Sequence, residues 1–428
     1  MAEVITTIGL RAVENVTIDS VSGSDPYTVT LSSATSSTDN GDSLQDEHTT
    51  PRSYLITAGA GTDTLTVKDS TGAGSPDDSG TSQATTTRYY SIVSGWDTGM
   101  VVGDLYAGTG DAPTGHIMND GAIVEDNLDI KSTVVGAITL TVPVGERHDG
   151  SPGTGGRIEA NSSATYILRV DSHWSNNIAE VSWIELDANG ELVNHGIDQK
   201  RNRATPPEFQ HLLIYDGGTR WGGGGIYQTS GSGGSIRATR CMVWNWVNTY
   251  DSDPAGNDLF GISTSNANSS RPGEIHNCTV YLISHAHASR TGYGISTLDH
   301  ANKSVKNSIA IGADVDFDLD SPGSADYDYN CSSDTTTSGT NSLASETAAN
   351  NFISTSPPVD LHLKAGSNCI GEGYDLGTTP ANIQYDIDNY DVSSDAAWDI
   401  GADQVVAAFK AAWARFNNYI IGANKAGD

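Results

Sequence analysis

Long hydrophobic runs are missing from this sequence, and no stretch reaches the length needed to span a bilayer. The opening Met1-Ala2-Glu3-Val4-Ile5-Thr6 lacks the basic and apolar regions of a signal peptide, so export by the usual route is not expected. Basic residues are scarce as well. Lys and Arg number 22 against 53 Asp and Glu, a net charge of −31 that excludes nucleic acid and anionic membranes as expected partners and favours divalent cations. Cysteine is rarer still. Four residues (Cys241, Cys278, Cys331, Cys369) in 428 make no disulfide framework, and no C-x-x-C pair suggests zinc. A Cys241–Cys278 disulfide is geometrically conceivable, but side chains on neighbouring strands point in parallel, which disfavours it. The other two are expected as buried thiols.

What the chain does have is repetition. Gly225-Ile226-Tyr227, Gly261-Ile262-Ser263 and Gly294-Ile295-Ser296 recur every 30 to 40 residues, each followed by a second matching run. Those runs are Arg240-Cys241-Met242-Val243, Asn277-Cys278-Thr279-Val280 and Asn307-Ser308-Ile309-Ala310. A fixed motif at such a period, carried by short β-rich runs, is the mark of a solenoid, and 428 residues can form one continuous domain of that kind. The predicted fold is therefore all-β, a right-handed parallel β-helix. Its interior would stack Cys241/Val243, Cys278/Val280 and Ser308/Ala310. Asn277, Asn307 and Asn330 are candidates for an amide ladder at a bend, where like residues of successive turns lie about 4.8 Å apart.

Taken in order, residues 1–87 read as a small β-rich domain with strands at Val16-Ile18, Tyr27-Leu31, Tyr54-Thr57 and Thr64-Val67, a candidate for docking on another protein. The Gly59-Asp63 run is read as a turn. Tyr89, Tyr90, Ile92 and Trp96 suggest a cap over the first coil, whose open end would otherwise expose strand edges. The β-helix is expected over 88–404. Within it, Asp314-Val315-Asp316-Phe317-Asp318-Leu319-Asp320 alternates strictly, placing Val315, Phe317 and Leu319 on a core face and four carboxylates opposite. Asp314, Asp316, Asp318 and Asp320 are candidate calcium ligands, with a solvated acidic face as the alternative; no cofactor is required. Residues 405–428 hold Val405, Val406, Phe409, Ala412, Trp413 and Phe416 at helical spacing, an amphipathic helix for capping or docking.

The runs Glu274-Val280, Ser304-Gly312, Val359-Ser367, Asp386-Asp388 and Trp398-Asp403 resemble right-handed parallel β-helix repeat proteins, the last three matching the closing segment of that group. A narrower likeness, on Thr7-Ile8-Gly9, Tyr90-Ser91-Ile92 through Trp96, and Gly145-Glu146-Arg147-His148-Asp149-Gly150, is to uncharacterised virion-associated β-helix proteins of tailed phages. In that pattern the first motif leads almost directly into the second, whereas here residues 10–87 intervene.

For chemistry, the richest set is His285, His287, Arg290, Tyr293, Asp299 and His300, with Asp251 and Asp253 in the preceding loop. A His or Arg beside Tyr could move a proton next to a uronic acid, and paired Asp could hydrolyse a glycosidic bond. Their spacing does not demand catalysis, and polar loop residues are commonly only solvated. Trp174, Trp183, Trp221, Trp244 and Trp246 could stack on sugars or fill the core. Gly222-Gly225 lacks the Lys and helix of a phosphate loop. The expectation is a structural protein of a tailed-phage virion surface, a capsid decoration, fibre or tail-associated protein reaching the outside by host lysis. Its partners would be other virion proteins, host surface glycans and copies of itself in a homo-oligomer such as a trimer. The alternatives are a polysaccharide lyase or glycoside hydrolase, and an exported adhesin.

Overall fold

The computed structural model describes residues 3–10, 14–46, 52–69, 74–76, 82–102, 112–130, 137–170, 177–200, 206–219, 222–228, 236–249, 257–264, 273–297, 303–319, 326–378, 382–395 and 397–405. Short β-branched and apolar runs bounded by Gly, Asp and Asn become strands, and most of them join one of three parallel sheets. Sheet I has nine strands, from Glu3–Ile8 to Tyr327–Asp328. Sheet II has eight, from Ile123–Val124 to Cys331–Ser332, and sheet III seven, from Leu128–Ile130 to Val315–Asp318. The chain visits the sheets in rotation: Leu213–Tyr215 lies in sheet II, Gly223–Gln228 in III, Arg237–Thr239 in I and Met242–Asn248 in II again. Each sequence repeat is thus one circuit.

The registers follow the repeats. Ile226 pairs with Ile262 and Ile262 with Ile295 in sheet III; Val243 pairs with Val280 and Val280 with Ala310 in sheet II. These residues belong to one buried core that runs through the coils. The glycines of the repeat mark where sheets II and III converge on that core. A Cβ on Gly196, Gly225 or Gly261 would lie 2.4, 2.3 or 2.4 Å from a methyl of Ile214, Val243 or Val280, so only glycine fits the column. Gly196 is an earlier member of the series, one circuit before Gly225.

A second column sits at the bend between sheets I and II. Trp183, His211, Arg240, Asn277, Asn307 and Tyr329 all take positive φ, between 50° and 62°. Asn277 and Asn307 touch, Nδ2 of the latter donating to Oδ1 of the former at 3.5 Å. Asn330 instead stands one residue past the bend, level with Ser308, whose amide its Oδ1 accepts at 3.0 Å. Cys241 and Cys278 are buried free thiols, as are Cys331 and Cys369.

Past the last coil, the chain folds back as a strap. Residues 346–378, 382–395 and 397–405 return along the outside of sheet II, where Phe352, Leu361, Leu363, Ile387, Ile400 and Ala402 cover an apolar outer face formed by Leu213, Met242, Trp244 and Ile309 among others. Strap backbone also meets the bend column. His211 Nε2 donates to Tyr385 O at 2.8 Å, and Gly401 N donates to Asn307 O at 2.7 Å.

At the other end, the domain expected over 1–87 is divided. Glu3–Ile8 is the first strand of sheet I, pairing in parallel with Ala112–Ile117, and the insertion between them holds a closed barrel of six antiparallel strands from Asn15–Gly23 to Ser82–Thr87. The barrel has its own core around Ile18, Val29, Leu44, Tyr54, Ile56 and Val67. Its strands Ser43–Asp46 and Ser82–Thr87 are polar and carried no alternation to reveal them. Arg88 fixes the barrel to the coils: its guanidinium reaches Asp39 at 2.6 Å and Asp42 at 3.1 Å in the barrel, and Asp120 at 2.9 Å in the stack. Trp96, in the helix Val93–Val102, is buried against the first coils with its ring over Gly115, while Tyr89 and Tyr90 pack beside it; Ile92 is exposed.

The acidic run differs from the expected two-faced strand. Phe317 is buried in the core, but Val315 is only half-buried and Asp316 is fully buried. Asp316 falls level with Gly294, in the last coil, where among the described residues no further strand of sheet III follows to exclude a side chain. Its carboxylate turns to the closing turn and accepts from Ser333 N and Ser333 Oγ, both at 2.6 Å. Asp320 and residues 406–428, with the helix expected there, lie outside the described residues.

Candidate functional site

The loop singled out in the sequence joins sheet II to sheet III. Its His285 closes the strand Thr279–His285, with Nε2 3.0 Å from Asn248 Nδ2 and Nδ1 accepting the His287 amide at 3.0 Å. His287 Nδ1 in turn meets Ser289 Oγ at 2.9 Å, and the Arg290 amide donates to His287 O at 3.0 Å. Asp314 ties the two ends together. One of its carboxylate oxygens accepts the amides of His285 at 3.0 Å and Gly292 at 2.7 Å. The structure so brings His285, His287 and Arg290 into one loop and gives Asp314 to its backbone. Burial, then the neighbouring His287, lowers the His285 pKa from its ordinary value. Tyr293 stands apart, in a column of stacked rings on sheet III where Tyr227, Phe260 and Tyr293 lie 5.4 Å apart in succession. Asp318 accepts from Ser296 Oγ at 3.3 Å on that sheet. Asp251, Asp253, Asp299, His300, Trp174 and Trp221 lie outside the described residues. Trp183, Trp244 and Trp246 are buried, which leaves them as packing residues.

A different constellation forms where two chain-distant motifs meet, the 145–150 loop and the strap. His362 stands between two carboxylates, Nδ1 at 2.5 Å from Asp360 Oδ1 and Nε2 at 2.7 Å from Asp388 Oδ1. Asp403 lies beside them, buried, with its Oδ2 accepting the Leu363 amide at 2.7 Å. Asp386 is buried too, and its Oδ1 accepts the amides of Asp388 at 3.0 Å and Tyr390 at 2.8 Å. Gly150 is needed on the facing loop, at φ +80°, because a Cβ there would come within 2.2 Å of His362 Nε2. The loop is itself anchored: Arg147 Nη1 donates to Asn389 Oδ1 at 2.6 Å with its guanidinium 4.2 Å over the Trp183 ring. His148 Nε2 donates to His211 O at 2.8 Å.

One buried cation underlies the cluster. Arg240, at a bend position where the next two coils have Asn, sends Nε to Ile383 O at 3.3 Å and Nη1 to Ala402 O at 3.3 Å, and lies 5.1 Å over the Trp398 ring. No protein-family model matches this chain, and neither a curated protein nor a solved structure matches it.

The electrostatics say what the cluster can do. Burial works against a charged His362, but the hydrogen bond and charge of Asp388, with Asp403 and Asp360, raise its pKa to about 10. An imidazolium with both N–H groups on carboxylates has no lone pair to act as a base. Burial and the charges of Asp388 and Asp403 push Asp386 up to about 8, and burial carries Asp403 up to about 6. Burial brings Arg240 down to about 10, against the opposing pull of Asp386, Asp403 and Asp399. With the imidazole neutral, one atom each from His362, Asp388 and Asp403, all within 4.8 Å of one another, could hold a divalent cation. With it protonated, the imidazolium itself is the cation that joins the strap to itself. Sequence reasoning had both motifs as marks of likeness only. The signal available was that each pairs a histidine with aspartate.

Proposed function

We propose that this chain is a right-handed parallel β-helix whose role is structural, a component of a virion surface of the kind found on tailed phages. One observation carries the reading: among the described residues, the His, Asp and Arg side chains singled out as candidates for chemistry are engaged in holding the chain to itself. His285 and Asp314 bind loop amides, His362 is clasped between Asp360 and Asp388, and Arg240 is committed to strap carbonyls. Nine strands in sheet I give a body about 38 Å long at about 4.8 Å per step, flanked by a barrel at one end. Such a rigid rod suits a part that spaces or presents other elements. The barrel and residues 406–428 are the proposed points of attachment to other virion proteins, and the acidic surface favours staying apart from nucleic acid.

Electron microscopy of particles that carry this protein, with masses from the same preparation, tests the proposal. Ordered density for the coil stack on a capsid or tail is the expected result. Free protein that shortens a host polysaccharide would replace this reading with the depolymerase.

A further inference from the structure

Among the described residues, one set of three metal-ligating side chains brings an atom from each within 4.8 Å of the others: His362, Asp388 and Asp403. They come from separate stretches of the strap, the strand Asp360–Leu363, the turn in which Asn389 N donates to Asp386 O, and the segment after Gly401. Each is already aimed. Asp360 Oδ1 accepts the His362 amide at 3.1 Å and lies 2.5 Å from ring Nδ1, which keeps a proton on Nδ1 and turns Nε2 to Asp388 Oδ1 at 2.7 Å. A carboxylate behind a histidine is the usual outer partner of a metal-ligating imidazole and strengthens it as a donor. Asp403 is held by the Leu363 amide on Oδ2 and the Gln404 amide on Oδ1, both at 2.7 Å, and each oxygen keeps a second lone pair.

The facing loop leaves a cradle over the ligand pair. A Cβ on Gly150 would fall 2.2 Å from His362 Nε2 and 2.8 Å from Asp388 Oδ1, so any larger residue would fill the space beside those two atoms. Solvent reaches the site from one side, where the Asp388 side chain is 40% exposed against 13% for His362; Asp403 is buried. Donor atoms about 2.1 Å from one zinc ion at the tetrahedral angle stand about 3.4 Å apart, so Nε2 and Oδ1 need to part by less than about 1 Å.

We propose that His362 Nε2, Asp388 and Asp403 bind one divalent transition ion of the zinc class, with Asp360 as the outer partner of the histidine and water completing the coordination. One imidazole with two carboxylates suits zinc better than calcium or magnesium, which take oxygen donors. The ion takes the place of the proton between Nε2 and Asp388, and that proton leaves to the buffer, so binding tightens as pH rises. In the metal-free protein the imidazolium holds the same place. Because its ligands are spread over residues 362 to 403, the ion cross-links the strap on the outside of sheet II. The site is separate from the carboxylates of the 314–320 run, and it would serve the strap wherever the protein works.

The test is titration of the full chain, stripped with a chelator, with zinc chloride, read by calorimetry, thermal melting and hydrogen exchange. The expected result is one ion per chain, a melting temperature raised by several degrees, and strap amides that exchange about tenfold more slowly when free zinc is about ten times its Kd. Magnesium chloride at the same concentration should change neither melting nor exchange. Asp388→Asn keeps an acceptor for His362 at the solvent-facing edge, and should weaken zinc binding by about tenfold or more; His362→Gln should abolish it. Asp360→Asn, which touches only the outer side of the ring, should weaken binding about tenfold while keeping one ion per chain. A stripped parent that takes up no zinc would overturn the proposal. So would zinc bound equally by the parent, Asp388→Asn and His362→Gln, or an equal response to magnesium, since either assigns the uptake to the acidic surface at large.

Discussion

Single residues in this protein are chosen by what stands in the next coil. Gly261 illustrates it: a methyl group there would meet Val280 Cγ1 at 2.4 Å and Gly294 O at 2.6 Å. Gly261→Ala should cost about 1–3 kcal/mol in urea unfolding, the range of an overpacked core, whereas Gly145→Ala, with open space around it, should stay within about 0.5 kcal/mol. His362 is governed by charge. Its pKa is raised from 6.5 to about 10, so it contributes stability in full below about 6.5 and loses it as pH climbs through about 10. Asp386 and Asp403, raised to about 8 and about 6, carry the same sign. Opposing them, burial lowers the pKa values of His148, His195 and His276 to about 4, so their contribution is present above about 6.5 and is lost as pH falls toward 4. The melting temperature should therefore peak near neutrality, and strap exchange should quicken between pH 8 and 10. His362→Gln should flatten that alkaline slope and leave the acid side in place; an unchanged alkaline slope would show that His362 does not hold the strap.

Elements were legible in the sequence where the chain repeats itself. Gly-Ile and Cys-x-Val recur because every circuit meets the same neighbours, and the registers they imply are those of sheets II and III. The strap had no such signal. It crosses the coils instead of joining them, so each of its residues meets a different partner: Tyr385 at His211, Ile383 at Arg240, Gly401 at Asn307. Its motifs could be matched to a closing segment by likeness, but position along the chain gave no hint that Gly150 and His362 are neighbours. The same crossing explains an apolar outer face on sheet II. A chain ending at residue 346 should expose Leu213, Met242, Trp244 and Ile309, bind a hydrophobic dye strongly and self-associate, with Trp244 emission shifted to the red. A truncated chain that stays monomeric and dark to the dye would mean another segment covers that face.

Across the whole molecule, the joint between barrel and stack combines one apolar contact, the barrel's Leu55 buried in the core of the coils, with a set of polar ones in which Thr7 N donates to Gly41 O at 3.1 Å. Arg88 bonds two barrel carboxylates and Asp120, and Thr7 Oγ1 donates to Asp42 at 2.5 Å. Burial opposes its charge, but the three carboxylates of Asp39, Asp120 and Asp42 outweigh burial and raise the guanidinium pKa above its ordinary value. Arg88→Ala leaves buried Asp42 without its charged partner and should cost about 3–5 kcal/mol at the joint. Calorimetry should then resolve two unfolding transitions, barrel and stack, where the parent shows one. A single unshifted transition in the variant would assign the joint to other contacts.

The insertion also makes the barrel a replaceable cassette. Its two ends leave the stack side by side, with Gly9 N donating to Tyr90 O at 3.0 Å and Ile8 bridged to Tyr90. A short linker could close that gap and leave the Glu3–Ile8 strand paired, or a foreign domain with adjacent termini could be grafted in its place. The rod would then serve as a mount, and what it displays would be a matter of choice.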